Sequence, residues 1–351
     1  MQKIPHRRAA NSEQVYSLPN INHLSWDDLR IFLACAETAS FRKAASKLRV
    51  SDSTVVRRID RLECALDARL FDRLPDGVAL TAEGQSILAS ARTMERAICD
   101  VVRKRTAVDP TERGPVAISI TEGLGSYWVM PRLVEFQREH PFMLVDLRCA
   151  MESADVLRLE ADMAVQFQRP TNRDLIAVKL ARLHVYPFAS KGYLSIYGSP
   201  SSTAEMMEHR LVQQRAPHLD DSAWAQFLGV DSIEDIVSVR TNASTAHFYA
   251  VEKGAGIGVL PTFAVALDAP VVPIDLGGSH HMDIWLTYHP DIRRTPRKAM
   301  VIDWLKRIFD PAVYPWFRDE FIHPNDLIKM APPETTQNVV KGYFAATPFK
   351  A

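Results

Sequence analysis

The chain has 351 residues, of which 47% are hydrophobic, so it is long enough to form two or three domains with buried cores. No apolar run approaches the roughly 20 residues that a membrane-spanning helix needs, and no hydrophobic stretch follows Arg7 and Arg8 in the manner of a signal peptide. The four cysteines are widely spaced and form no CxxC pair, which argues against a disulfide framework or a metal site. We therefore expect a cytoplasmic protein with no membrane partner and no cofactor.

The formal net charge is zero, but the charge is unevenly distributed along the chain. Residues 1–113 contain 19 Lys and Arg against 15 Asp and Glu, whereas residues 114–351 contain 23 against 27. Between Ser40 and Leu62, seven basic side chains accompany only two acidic ones. This local excess favours a small N-terminal module that binds a polyanion, although a solvated helix face would have the same composition.

Apolar spacing predicts helices that follow a mobile N-terminal extension, residues 1–24. The first three begin at Ser25, Ser40 and Ser51, and serine is a preferred residue for capping a helix N-terminus. Only two residues separate the second helix from Ser51. Two amphipathic helices joined by so tight a turn are typical of a helix-turn-helix.

The third predicted helix has a polar face opposite its apolar face, which carries Val55, Ile59 and Leu62. Short polar side chains come first on the polar face and arginines follow. A recognition helix presents this order to base edges and phosphates in the major groove. The candidate DNA-contacting residues are Arg42, Ser51, Asp52, Ser53, Thr54, Arg57, Arg58, Arg61 and, on the segment that follows, Arg73.

Two short extended runs flank a Pro-Asp-Gly turn at residues 75–77 and predict a hairpin. This wing completes a winged helix-turn-helix over residues 25–80. A long helix capped by Thr81 then covers residues 81–107. Its apolar residues recur in steps of four and three, as in a coiled-coil seam, and we expect them to form a dimer, with packing on the same domain as the alternative. The seam residues are Ile87, Ala91, Met94, Ile98 and Val101.

Several short motifs follow one another in order between residues 26 and 98. They are Ser40-Phe41, Ala44-Ala45, Val50-Ser51, Arg69-Leu70-Phe71 and Leu80-Thr81-Ala82-Glu83-Gly84. This segment resembles the DNA-binding part of the LysR-type transcriptional regulators. The resemblance implies a double-stranded DNA operator, self-association into dimers or tetramers, and RNA polymerase as a further candidate partner. Where the family often has glutamine this chain has Asp52, which would favour cytosine over adenine or simply cap the helix.

Strand-like and helix-like runs alternate from Gly114 to Phe309, which predicts an α/β domain with mainly parallel sheets. Residues 154–160 are among the predicted helices, and 175–180 and 185–189 are predicted as separate strands. The motifs at residues 161–165 and 252–261 resemble the effector-binding domain of LysR-type regulators, which is similar to periplasmic binding proteins. The resemblance implies two α/β subdomains with a ligand cleft between them over residues 114–309.

Three loops follow predicted strands at the edge where open α/β sheets bind ligands. We expect them to bind an anionic or polar small-molecule effector, although each side chain could equally be a cap or turn residue. Glu122 would repel a carboxylate unless it is paired. The candidate effector-binding residues are Thr121, Glu122, Gly123 and Ser126 in the first loop, Gln166, Gln168 and Arg169 in the second, and Thr241, Asn242 and Ser244 in the third.

We find no nucleophile with a base at recognisable spacing, so we expect a regulator and not an enzyme. His280, His281 and His289 are better explained by a loop than by a metal site, because adjacent side chains on a strand point to opposite faces. Two alternatives remain open: a C-terminal domain that serves only for assembly, and an enzyme fused to a DNA-binding module.

Residues 310–351 form a C-terminal extension to which the sequence assigns no role. Its aromatic cluster is expected to pack on the preceding domain, and the rest is expected to be mobile. The cluster consists of Tyr314, Trp316, Phe317 and Phe321.

Overall fold

The structure, a computed structural model, describes residues 24–106, 114–267 and 269–330. Predictions that fall on residues 1–23, 107–113 and 331–351 lie outside the described residues. The chain divides into two compact units, Met1–Asp100 and Val101–Ala351. The first unit contains α1 (Trp26–Thr38), α2 (Phe41–Leu48), α3 (Asp52–Leu66), the antiparallel hairpin β1 (Phe71–Leu74) and β2 (Gly77–Leu80), and most of the long helix α4 (Ala82–Thr106).

Two of the three predicted serine caps are made by side chains. The Ser40 and Ser51 hydroxyls accept hydrogen bonds from the backbone N–H groups of Lys43 and Thr54. Ser25 occupies the N-cap of α1, but its side chain makes no capping hydrogen bond. The first turn of α1 carries Asp27 and Asp28, whose negative charge is favourable near the positive end of the helix dipole.

The wing is attached to the C-terminus of α1. The Val78 N–H donates to the carbonyl of Ala39 at 2.9 Å. Gly77 next to it has φ +153°, and a Cβ at that position would lie 2.3 Å from the same carbonyl oxygen. Only glycine permits this close approach of two backbone segments.

The seam predicted on α4 is wrong at its N-terminal end. Ala91 is buried in the core of the first unit, and Ile87 packs against that core together with Leu88. The first turns of α4 therefore pack on their own domain, which is the alternative that the spacing of the apolar residues had left open. Met94 and Val101 remain exposed.

The second unit is an α/β structure. Its strands are β3 (Gly114–Thr121), β4 (Met143–Ala150), β5 (Met163–Gln166), β6 (Ile176–Ser190), β7 (Leu211–Gln214), β8 (Val237–Thr241), β9 (Gly258–Pro261), β10 (Val271–Pro273) and β11 (His280–Tyr288). Its helices are α5 (Glu122–Leu124), which continues through a π-helical turn into α6 (Met130–Glu139), then α7 (Lys191–Tyr197), α8 (Ala223–Leu228), α9 (Ser244–Glu252), α10 (Pro296–Ile308) and α11 (Pro324–Met330).

The main sheet is mixed, and the prediction of mainly parallel sheets is wrong. Its order is β10-β6-β11-β5-β3-β4, and β9 also pairs with β6. Strand β3 is parallel to β4 and β5, whereas every pair that involves β6 or β11 is antiparallel. Residues predicted as two strands form the single 15-residue strand β6, which is paired along both halves.

Residues 154–160 form turns, where a helix was predicted. The Asp155 carboxylate accepts hydrogen bonds from the backbone N–H groups of Leu157 and Arg158. Side-chain bonds of this kind compete with the helical ladder.

Strands β6 and β11 run through two subdomains. The first subdomain is built on β3, β4 and β5, and its core includes Ile118, Trp128 and Leu305. The second contains β7, β8, β9 and β10, where a bridge between Leu211 and Ile257 links the parallel pair β7–β8 to the rest. The ladder between β6 and β11 is interrupted by a register shift at residues 284–285.

The segment that follows α10 completes the domain core. Trp316, Phe317 and Leu327 are all buried in the same cluster as Trp128. Phe317 and Trp316 meet the Trp128 ring edge-on, at centroid distances of 4.9 and 5.5 Å. Phe321 stacks on Tyr186 of β6. The aromatic cluster predicted here therefore packs on the domain.

Candidate DNA-binding surface and effector cleft

The N-terminus of α3 presents a cluster of hydroxyl groups. The Ser51 hydroxyl lies 3.0 Å from that of Ser53 and 2.8 Å from that of Thr54. Ser51 and Ser53 are exposed, as is Asp52 in the same turn. This end of the helix thus offers polar side chains and backbone N–H groups to a ligand outside.

Two arginines of α3 are bound to α1. Arg61 donates to both carboxylate oxygens of Asp28, from Nε at 2.7 Å and from Nη2 at 2.6 Å. Arg58 donates to the same carboxylate at 3.2 Å. Asp28 is only 1% exposed, so its charge needs these partners. The sequence pattern predicts DNA contacts for Arg58 and Arg61, and in the structure both side chains also hold α1 against α3.

Replacement of Asp28 by asparagine is expected to loosen α1, because it leaves two cations facing a neutral amide. We expect the opening free energy of α1 and α3 to fall by about 1–3 kcal/mol. Hydrogen exchange of the full chain, read on peptides from these helices, would measure the change. Asp27→Asn is the control, since the Asp27 side chain is 53% exposed and contacts only Arg58 of the pair, at 3.4 Å. Equal exchange in the two variants would contradict a structural role for the buried carboxylate.

The remaining candidate arginines are more accessible. Arg42 and Arg57 are exposed and form no ion pair with any residue in the described ranges. Arg73 on β1 is exposed as well, with its guanidinium 3.6 Å from the Asp60 carboxylate and 5.9 Å from the centre of the Phe41 ring. The basic surface therefore comprises α2, the start of α3 and the wing.

A cavity of about 610 Å³ lies between the two subdomains. Of the ten predicted effector-binding residues, Thr121, Gly123 and Ser244 line it. The rest of the wall comes from β6, β7, α8, α9, β9 and β11 and from segments that connect such elements. The predicted residues that do not line it are Glu122, Ser126, Gln166, Gln168, Arg169, Thr241 and Asn242.

Several of these seven are engaged elsewhere. The Glu122 carboxylate accepts a hydrogen bond from the Thr245 N–H at 3.0 Å. The Gln166 amide donates to the Gln168 carbonyl at 2.7 Å. The Arg169 guanidinium lies 5.1 Å from the centre of the Trp285 ring. The loops were predicted at the correct strand ends, but side-chain partners across the chain could not be foreseen.

The aromatic wall of the cavity could not be predicted from the sequence, because isolated aromatic residues are more often core residues than ligand contacts. Among the described residues that line the cavity, Asp220 is the only one with a formal charge, and lysine and arginine are missing. The cavity therefore lacks the arginine that was expected to serve an anionic or polar effector, and the nature of the effector stays a prediction. The aromatic residues are Tyr127, Phe167, Trp224, Phe227, Phe248 and Phe263.

Two of the three histidines that line the cavity, His218 and His247, have a lowered pKa. Burial lowers the pKa of His247 to about 4, and its Nε2–H donates to the Val212 carbonyl at 3.1 Å. Burial also lowers the pKa of His218, whose ring centre lies 4.9 Å from that of Phe167. Neither side chain supplies positive charge near neutral pH.

The described ranges contain no group of three or more His, Cys, Asp or Glu side chains arranged to hold a metal ion. They also contain no helix that is both long enough and apolar enough to cross a lipid bilayer.

Two family models match this arrangement of domains. Residues 26–85 match the bacterial regulatory helix-turn-helix protein of the lysR family, and residues 110–310 match the LysR substrate binding domain. The chain belongs to the LysR family of transcriptional regulators. This confirms the resemblance and the fold class predicted from sequence. The LysR family is one of regulators and not of enzymes, which sets aside the fused-enzyme alternative.

Individual LysR-type proteins are only moderately similar to this chain. An HTH-type transcriptional regulator of Xanthomonas campestris pv. campestris is 30% identical over 58% of this chain and 60% of its own length. The transcriptional activator AmpR of Pseudomonas aeruginosa is 28% identical over 68% of this chain and 79% of its own length. The structure of the Vibrio cholerae virulence activator AphB has a TM-score of 0.51 at 21% identity, over 80% of this chain and 98% of AphB, which supports the fold.

Proposed function

We propose that this LysR-type protein binds a specific DNA site as a dimer, and that its affinity for that site changes when a small molecule occupies the cleft. The observation that carries the proposal is one chain that combines an exposed recognition-helix N-terminus with a cavity of about 610 Å³, large enough for a metabolite. Such a cavity disfavours a C-terminal domain that serves only for assembly. Binding of DNA implies a cytoplasmic location, and RNA polymerase is the candidate partner of the bound dimer.

Selection of bound sequences from a random duplex pool, at fixed salt, tests the DNA-binding half of this proposal. We expect a dyad-symmetric site with half-sites about 34 Å apart, because a two-fold symmetric dimer places its two recognition helices one turn of the DNA helix apart. Weak, salt-sensitive binding to all sequences would contradict sequence-specific regulation.

The remaining part of the α4 seam supports the dimer. Met94 and Val101 are 45% and 70% exposed, and Ile98 is half-buried between them. Because steps of four and three residues place these side chains on one face, they form an apolar stripe. Burial of this stripe against a second copy would remove it from water and pair the two recognition helices.

Arg57→Ala should weaken binding to the selected site, because Arg57 is exposed on α3 and forms no ion pair within the described ranges. If Arg57 contacts a phosphate, the slope of log K against log salt should fall by about one. Titration of the labelled duplex at several salt concentrations measures both quantities. Arg138→Ala on α6 removes the same charge from the other unit and serves as the control. An unchanged affinity for Arg57→Ala would show that the proposed face of α3 is not the one that binds DNA.

A further inference from the structure

We infer that the cleft accepts an uncharged aromatic effector and discriminates against carboxylates. The inference rests on the proposed function, in that it takes the cleft to be the effector site. It concerns the chemical class of the effector, which follows from the side chains that line or support this cavity.

The position at which a carboxylate would be expected to bind is already occupied. The first turn of α9 borders the cavity, and exposed N–H groups at a helix N-terminus attract anions. Here the Thr245 N–H is bound by the Glu122 carboxylate at 3.0 Å. The two loops are also closely packed, because a Cβ on Gly123 would lie 2.8 Å from that of Ser244. An anionic effector would have to displace or approach an internal carboxylate.

Nearby arginines of the second subdomain are committed to other partners. Arg240 donates to the Gln213 side chain at 2.8 Å and to the Glu234 carboxylate at 2.7 Å. Arg215 lies 3.1 Å from the Asp221 carboxylate. His218 and His247 are neutral, and the third histidine of the wall, His280, is exposed. An effector carboxylate would therefore enter the cavity without a buried counter-charge, which is unfavourable in apolar surroundings.

The same wall is suited to a flat, uncharged ring system. The six aromatic side chains named above allow stacked and edge-on contacts with a bound ring. Polar groups remain for the substituents of such a ring. Three of them lack hydrogen-bond partners within the described residues: the Thr121 hydroxyl, the side-chain oxygen of Gln214 and the His218 ring. A few polar groups within an apolar wall are typical of small-molecule sites that orient a neutral ligand.

Matched probes test the inference directly. Naphthalene carboxamide and naphthalene carboxylate have nearly the same shape and differ in charge. Calorimetric titration of the full-length protein near neutral pH should show binding of the amide below about 1 mM, and binding of the carboxylate about tenfold weaker or worse. Equal or tighter binding of the carboxylate would overturn the inference, and so would failure of the amide to bind at that concentration.

A variant then locates the cause. Glu122→Gln removes the internal charge, so the affinity for the carboxylate probe should rise about tenfold while the affinity for the amide changes little. Glu139→Gln, on the exposed end of α6, is the matched control. Equal affinity of Glu122→Gln and Glu139→Gln for the carboxylate probe would show that Glu122 does not exclude anions, which would contradict the proposed cause of the selectivity.

The duplex selection keeps this inference separate from the proposed function. Binding of the carboxylate together with a selected dyad-symmetric site would overturn the effector class and leave the regulator intact. Selective binding of the amide without any preferred DNA sequence would uphold the chemistry of the cleft and contradict sequence-specific regulation.

Discussion

Phe317→Ala is expected to lower the free energy of unfolding of the effector-binding domain by about 3–5 kcal/mol, the usual cost of a large cavity in a packed core. Phe317 is 1% exposed. Its ring lies 4.9 Å from that of Trp128 and 5.2 Å from that of Phe309, both in the body of the domain. The family model ends at residue 310, before this side chain. A domain truncated after residue 310 should therefore be more severely destabilised than the point variant.

Chemical denaturation of the full-length protein, followed by near-ultraviolet circular dichroism of the aromatic core, would measure this effect. Val313→Ala is the control, since Val313 belongs to the same segment but is largely exposed. The control should differ from the parent by less than about 0.5 kcal/mol. Similar midpoints for Phe317→Ala and Val313→Ala would contradict a core role for the segment.

The second large effect is expected from charge on the exposed stripe of α4. The double variant Met94→Glu with Val101→Glu places two carboxylates on each copy of the stripe, where a dimer would bring four together in an apolar contact. We expect monomers in sedimentation experiments. Affinity for the selected DNA site should fall about 100-fold or more, because the second half-site contact is no longer tethered to the first.

The matched control is Gln85→Glu with Ala89→Glu. Both residues are exposed on α4, and at 100° per residue they lie on the side away from the stripe. This control should remain dimeric and keep its affinity for DNA. A Met94→Glu, Val101→Glu double variant that still sediments as a dimer would place the dimer contact elsewhere on the chain.

Local signals in the sequence were sufficient for the N-terminal domain. Capping serines, the two-residue turn before Ser51 and the Pro-Asp-Gly turn each act within a few residues, so the helices and the wing could be predicted without tertiary information. The seam on α4 was predicted too long, because the spacing of apolar residues does not show whether Ala91 faces a partner or the core of its own domain.

The effector cleft was harder to predict, since its character depends on contacts between distant residues. Glu122 and Thr245 are 123 positions apart, and no local pattern links the carboxylate to that N–H. Similarly, Phe167, Phe227 and Phe263 form one wall only after the two subdomains fold. Loop positions at strand ends identified the region of the site, whereas its polarity required the structure.

The shared strands β6 and β11 determine how the cleft can change shape. Between the part of β11 that pairs with β5 and the part of β6 that pairs with β9, the two subdomains are joined by β6 and β11 alone. Two-stranded ribbons are more strongly twisted than wider sheets. The β6–β11 ladder is interrupted at residues 284–285, and an irregularity of this kind bends a strand and increases its local twist. We therefore expect the two subdomains to rotate relative to each other about this ribbon. An effector that contacts both walls of the cleft would fix the angle between the subdomains.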